Sequence, residues 1–157
     1  MIRRVTFPRP VRKAMFAVWR VTRGMTLGTR AVVLDESGRV LLVEHSYLPG
    51  WHLPGGGVER GETMAEALAR EVFEEGGVEL TGEPELFGIY QNARIDRRDH
   101  VALYVCRTWR ATGAGPDGRE IVDRGFFALD ALPAATSPAV HRRLAELFDG
   151  RPPDPIW

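Results

Sequence analysis

Residues 55–78 read GGGVERGETMAEALAREVFEEGGV. Glycines lead into a run of helix formers, and Gly76 and Gly77 stop it. Thr63 followed three positions later by Glu66 is a capping box, so a helix is predicted from there to about Glu75. Ala65, Leu68, Ala69, Val72 and Phe73 are expected to gather on one side and face a core. That leaves Glu71, Glu74 and Glu75 as neighbours on an adjoining side, at spacings of three and four. A helix C-terminus favours cations, so three carboxylates there oppose the dipole as well as one another. Arg70 can reach Glu66 or Glu74, but one exposed pair contributes only about 0.2–0.5 kcal/mol. Mg2+ offsets more charge, since it takes one or two carboxylates, keeps several waters and accepts phosphate oxygens as its remaining ligands. The competing reading is a solvated acidic face.

Pro54, Gly55, Gly56 and Gly57 have no bulky side chains where the chain approaches this helix, so backbone groups can come close to a ligand or metal. The run is not a P-loop, because no Gly-Lys-Ser/Thr follows it, and it is not a dinucleotide fingerprint, because Arg60 stands where the third glycine belongs. It also lacks the alternating Asp/Asn ligands of an EF-hand.

The spacing Gly56, five residues, Glu62, seven residues, then Arg70-Glu71-Val72-Phe73-Glu74-Glu75-Gly76-Gly77-Val78 resembles the Nudix box at every fixed position. The box spans residues 56–78, and the order of elements around it is similar to the family's from about residue 25 to 150. The resemblance implies an α+β fold, a mixed sheet sandwiched between helices. Residues 1–24 would be a basic N-terminal extension and 151–157 an extended tail. It also implies a hydrolase that cleaves a nucleoside diphosphate linked to another moiety, with Mg2+ and sometimes Mn2+, by attack of metal-activated water on phosphorus. Carried over by position, Glu71, Glu74 and Glu75 would be metal ligands, with the Gly55 carbonyl as an additional one. Arg70 would orient these glutamates and Glu62 would support the loop, with Gly56 and Gly77 as structural glycines. The general base stays open between Glu71, Glu75 and Glu120, with Asp117 a weaker candidate. The rival class is a Nudix domain that binds a nucleotide without cleaving it. Such a domain would be expected to lose box glutamates, and this chain keeps them.

The substrate is less constrained. Tyr47, Trp51, Phe87 and Tyr90 are candidates to stack on a base, against an ordinary place in the core. Arg23, Arg30, Arg94, Arg97 and Arg98 are candidates for phosphates, and His52 and His100 for other contacts. Arg94 stands where family members selective for ADP-ribose tend to carry proline, and no tyrosine follows where those acting on dinucleoside polyphosphates carry one. Neither subgroup is favoured, and the expected partner is a nucleotide-derived small molecule.

Composition sets the frame. The 157 residues suit one domain, and 44% hydrophobic with 27% charged residues is ordinary for a globular chain. Lys plus Arg and Asp plus Glu number 21 each, so overall charge points to neither nucleic acid nor membrane. Cys106 is the only cysteine, which excludes an internal disulfide. No apolar run approaches the roughly 18–20 residues of a membrane span, and the charged N-terminus is unlike a secretory signal, so a cytoplasmic setting is expected. The chain leaves a homodimer open.

Charge is nevertheless uneven. Arg3, Arg4, Arg9, Arg12, Lys13, Arg20, Arg23 and Arg30 precede the first acid, Asp35. Val11, Ala14, Met15, Val18 and Trp19 recur at helical spacing among them, so a short amphipathic helix ending near Gly24 is predicted. It would pack on the domain, form a basic lip for anionic substrate, or bind acidic lipid or a partner. Further on, TRAVVLDESGRVLLVEH reads as a hairpin, and strands are predicted at 51–53, 85–91, 100–109 and 124–129. Ser137 and Pro138 should open a last helix whose Val140, Leu144, Leu147 and Phe148 form an apolar stripe.

Overall fold

The computed structural model describes residues 9–115 and 119–157. In chain order the elements are α1 (Arg9–Thr22), β1 (Thr26–Val33), β2 (Val40–His45), β3 (Trp51–His52), α2 (Met64–Glu74), β4 (Val78–Leu80), β5 (Glu85–Gln91), β6 (Asp99–Cys106), β7 (Trp109–Ala111), β8 (Ile121–Phe127) and α3 (Pro138–Phe148). They form three ladders, β1-β6-β5, β3-β2-β8 and β4-β7. β1 runs parallel to β6, and the other pairings are antiparallel.

Alternation along the buried run AVVL explains the layering. Ala31 and Val33 face a cluster that contains Leu68 and Val72 of α2, whereas Val32 and Leu34 face one that contains Val140 and Leu144 of α3. Leu41 points to the α2 side, and Val40 and Leu42 to the α3 side. Strands buried on both faces read as continuous apolar runs because both sides are covered. The result is the expected α+β sandwich, with strands between α2 and α3.

Two local expectations need correction. The run from Thr29 to His45 is not a hairpin ladder, because β1 pairs with β6 while β2 pairs with β3 and β8. Among the described residues their backbones pair only at the isolated Leu34–Val40 bridge, although their side chains share both core clusters, so the Asp35 turn carries the chain from one ladder to another. Asp35 builds that turn by accepting from the Ser37 and Arg39 backbone N–H groups. The strand predicted at 100–109 is split into β6 and β7, with β7 pairing to β4 instead.

α2 starts with the predicted capping box: the Thr63 side chain accepts from Glu66 N at 3.2 Å, and Glu66 Oε2 accepts from Thr63 N at 2.8 Å. Thr63→Ala is expected to cost about 1 kcal/mol. It should appear as a lower urea midpoint with an unchanged slope. An unchanged midpoint would show that the box does not hold this helix.

α3 follows Ser137 and Pro138 as predicted, although Ser137 makes no side-chain capping bond. Its buried face contains Arg143 and Glu146 as well as Val140 and Leu144, and Phe148 is exposed. Arg143 donates to Glu146 Oε1 at 2.6 Å and to the Ile156 carbonyl at 3.0 Å, with its guanidinium 4.1 Å from the Tyr90 ring centroid. The tail lies along β5, where Gln91 N donates to Pro155 O at 2.8 Å and Trp157 N to Gln91 O at 2.9 Å.

Candidate active site

The glycine-rich segment runs antiparallel beside β1, bridged to it at Gly28–Gly57. Thr29 N donates to Gly56 O, Ala31 N to Pro54 O and Val58 N to Leu27 O, at 2.8–2.9 Å. This close approach explains the small residues. Gly55 has φ +141°, and a Cβ there would run into the Thr29 carbonyl. A Cβ on Gly56 would lie 2.5 Å from Glu71 Oε1.

Arg70 ties this loop to α2. Its Nε and Nη2 donate to the two Glu62 oxygens at 2.7 and 3.1 Å, its Nη1 to Glu71 Oε1 at 2.7 Å, and its Nη2 also to Gly57 O at 3.1 Å. The Arg70 guanidinium, with the Glu59 backbone N–H, brings the Glu62 carboxyl from the ordinary 4.5 down to about 2. A lowered native pKa means the unfolded state binds more protons between the two values. The contribution is therefore present above pH 4.5 and lost as pH falls through about 2. Glu62→Gln should accordingly show a shallower loss of stability over that acid range, measured by urea unfolding at stepped pH. Parallel profiles would remove this pair as a source of the acid dependence.

Glu75, 5% exposed, is held at both oxygens. His45 Nε2 donates to Oε1 at 2.8 Å, and Gly55 N donates to Oε2 at 2.7 Å. His45 stands at the end of β2, beside an irregularity in the pairing with β8, and its Nδ1 is buried with no partner among the described residues. Burial is the largest influence on Glu71 and raises its pKa; the carboxylates of Glu75 and Glu74 push the same way, against Arg70. The cluster is thus short of positive charge.

The helix C-terminus itself is served from β8. Arg124 Nη1 donates to the Glu75 carbonyl at 3.2 Å, and its Nη2 donates to Ala114 O. Gly77, at φ +63°, packs where a Cβ would meet that guanidinium. Arg124 places a cation at the carbonyl end while the glutamate side chains project elsewhere.

The buried face of α2 is therefore rotated from the predicted one. Ala67, Leu68, Val72 and Glu75 are buried, whereas Ala65, Ala69 and Phe73 are exposed. Glu71 is half-buried and Glu74 is exposed. Counting apolar residues turns carboxylates outward, but His45 and the Gly55 N–H supply the donors that let Glu75 turn inward.

Glu71, Glu74, Glu75, Glu120 and Ile121 line one cleft of about 320 Å3. Tyr47 donates from its hydroxyl to Glu120 Oε1 at 3.2 Å, at the same place. Arg30, on β1, donates to the Leu53 carbonyl at 2.8 Å. Arg94 lies on the exposed turn between β5 and β6, and Asp117 falls outside the described residues. Tyr90 is not a stacking platform: it is 2% exposed and donates to Glu146 Oε2 at 3.0 Å. Trp51 is half-buried against the α3-side core, its ring edge-on to Phe127 at 4.9 Å. His45 and Arg124 are contacts that sequence reading did not single out. Their only signals were a polar residue ending an apolar strand and an arginine in a predicted strand.

Among the described residues, no three His, Cys, Asp or Glu side chains already converge to enclose an ion. The donor chemistry nonetheless fits a hard divalent cation, because three glutamates border one cleft and the charged form of the half-buried Glu71 is disfavoured first by burial and then by its acidic neighbours.

The family model described as NUDIX domain matches residues 25–148. An 8-oxo-dGTP diphosphatase of Haemophilus influenzae is 30% identical over 125 residues, 73% of this chain and 88% of that protein. An ADP-ribose pyrophosphatase of Methanocaldococcus jannaschii is 33% identical over 104 residues, 64% of this chain and 61% of its own length. The crystal structure of a MutT NUDIX hydrolase from Burkholderia pseudomallei superposes with a TM-score of 0.65 at 26% identity, covering 78% of this chain and 98% of that one. With the fold, the glycine loop and the glutamate helix in agreement, the chain belongs to the NUDIX family and is a Nudix hydrolase.

Proposed function

We propose that this hydrolase cleaves a pyrophosphate linkage in a nucleoside diphosphate joined to another moiety, with Mg2+ as its cofactor and Mn2+ as a substitute. The observation that carries this reading is the cleft bordered by Glu71, Glu74, Glu75 and Glu120 beside the glycine loop. The relatives named for 8-oxo-dGTP and for ADP-ribose share a nucleoside carrying a pyrophosphate, which supports that class.

Glu71, Glu74 and Glu75 would hold the cation, with the Gly55 carbonyl as an additional ligand. Once bound, the ion supplies positive charge to the phosphate oxygens and lowers the pKa of water. Arg70 would keep Glu71 aimed at the site, since it is itself fixed by Glu62. Glu120 is our choice of proton acceptor, because it borders the cleft from the residue just before β8 and does not stand among the three ligands. Its contact with Tyr47 would orient Oε1. Among substrate contacts, Tyr47 is 67% exposed beside the cleft and fits a base or sugar, while Arg30 and Arg94 are assigned to phosphate contacts.

The test is a panel of nucleotide sugars, nucleoside triphosphates and dinucleoside polyphosphates, incubated with purified protein and Mg2+ in 18O-labelled water. Products identified by mass should carry one labelled phosphate, which gives the substrate and the scission point together. Tight nucleotide binding with no product under Mg2+ or Mn2+ would replace catalysis with a sensor role.

A further inference from the structure

We infer that α1 is an interfacial helix that docks the protein on an anionic lipid surface. The inference does not depend on the substrate reading above.

The helix carries an apolar stripe that the described residues leave largely uncovered. Val11, Met15, Val18 and Thr22 follow one another at steps of four, three and four, with Trp19 and Val21 flanking them. Val18 is 57% and Val21 79% exposed, and Val11 and Trp19 are exposed as well. The surface continues into Met25 and Leu27 at the start of β1, both exposed. A helix packed on the domain would bury this stripe; among the described residues Met15 is half-buried, while Val11, Val18, Trp19 and Val21 stay exposed.

Charge selects the occupant. All eight Lys and Arg residues of positions 1–34 stand without one acidic residue, while positions 35–157 hold the other 13 cations and all 21 acids. The chain is neutral as a whole but strongly divided. A stripe of Val, Met and Trp within a cationic segment is the pattern of a helix lying in a membrane interface, with its apolar side among acyl chains and its cations among headgroups. Arg23 stacks 5.1 Å from the Trp19 ring centroid, so cation and aromatic stand together. Docking α1 against α1 of a second copy would instead bring two all-cationic segments together. The acidic remainder is repelled by an anionic surface, which would leave α1 toward the lipid and the rest toward water.

The probe is full-length protein mixed with phosphatidylcholine vesicles with or without about 30% phosphatidylglycerol, read by flotation. We expect at least about tenfold more bound protein with the anionic lipid, and release of most of it at roughly 0.5 M NaCl. The variant Val18→Asp/Val21→Asp, altered only at exposed positions outside the proposed site, should lose flotation and keep its circular dichroism and thermal midpoint. Equal flotation with both lipids, or flotation unchanged in the variant, would overturn the inference. So would a dimer in light scattering that the variant dissociates without vesicle binding by either protein, which would make a second copy the occupant. Binding to a single-stranded oligonucleotide without vesicle binding would overturn it in favour of nucleic acid.

Discussion

Glu75→Gln should reduce phosphate release by more than about a hundredfold, the upper end of what losing even an outer-shell partner of a metal site costs. The substitution keeps the shape of a side chain that is 5% exposed but removes its charge, so it tests electrostatics before packing. The amide oxygen can still accept from His45 or from Gly55 N, whereas its NH2 must face one of those two donors. Mn2+ affinity, followed by electron paramagnetic resonance without substrate, should fall in parallel. Circular dichroism should show an intact fold. Glu74→Gln should have a smaller effect on both readouts, because its carboxylate is 58% exposed and meets Arg70 only at 3.6 Å. Unchanged turnover and Mn2+ affinity in Glu75→Gln would overturn the ligand assignment.

Arg143→Met should destabilise the protein by about 3–5 kcal/mol, because it leaves the Glu146 carboxylate buried without its cation. In a chain of this size that corresponds to a melting point lower by roughly 10 °C. Glu146 would retain the Tyr90 hydroxyl and the Asp154 N–H as donors, which do not neutralise it. The C-terminal tail should loosen at the same time, since Arg143 also binds the Ile156 carbonyl and packs 5.6 Å from the Trp157 ring centroid. The double variant Arg143→Met/Glu146→Leu should recover most of the loss, because replacing both members of a buried pair with apolar groups is often neutral or stabilising. A single variant as stable as the parent would show that this pair does not secure α3 and the tail.

Several elements are legible in the order of residues. The capping box places the start of α2 because its bonds join residues three apart and depend on nothing distant. The strand predicted at 85–91 is β5, and the spacing of glycines, arginine and glutamates points to the family that the comparison identifies. The hairpin reading fails because a turn such as that of Asp35 looks the same whether its flanking strands pair together or enter different ladders. Tyr90 and Trp51 are legible as aromatics that either join the core or stack on a base, and what packs against their strands decides it: Tyr90 is interior and Trp51 half-buried.

Residue order is enough for what is local and chemical: where α2 starts and stops, which carboxylates recur along it, and that the segment before it must be backbone without bulk. Which face of α2 turns inward is a matter of tertiary packing. That rotation depends on His45 of β2 and the Gly55 N–H, which meet Glu75 from 30 and 20 residues away. The same packing brings Arg124 of β8 to the carbonyl end of the helix, 49 residues along the chain. Helical periodicity reports polarity, and polarity turns a glutamate outward unless distant donors meet it. Because those donors lie outside the helix, the fold has to form before the acidic face can become a site.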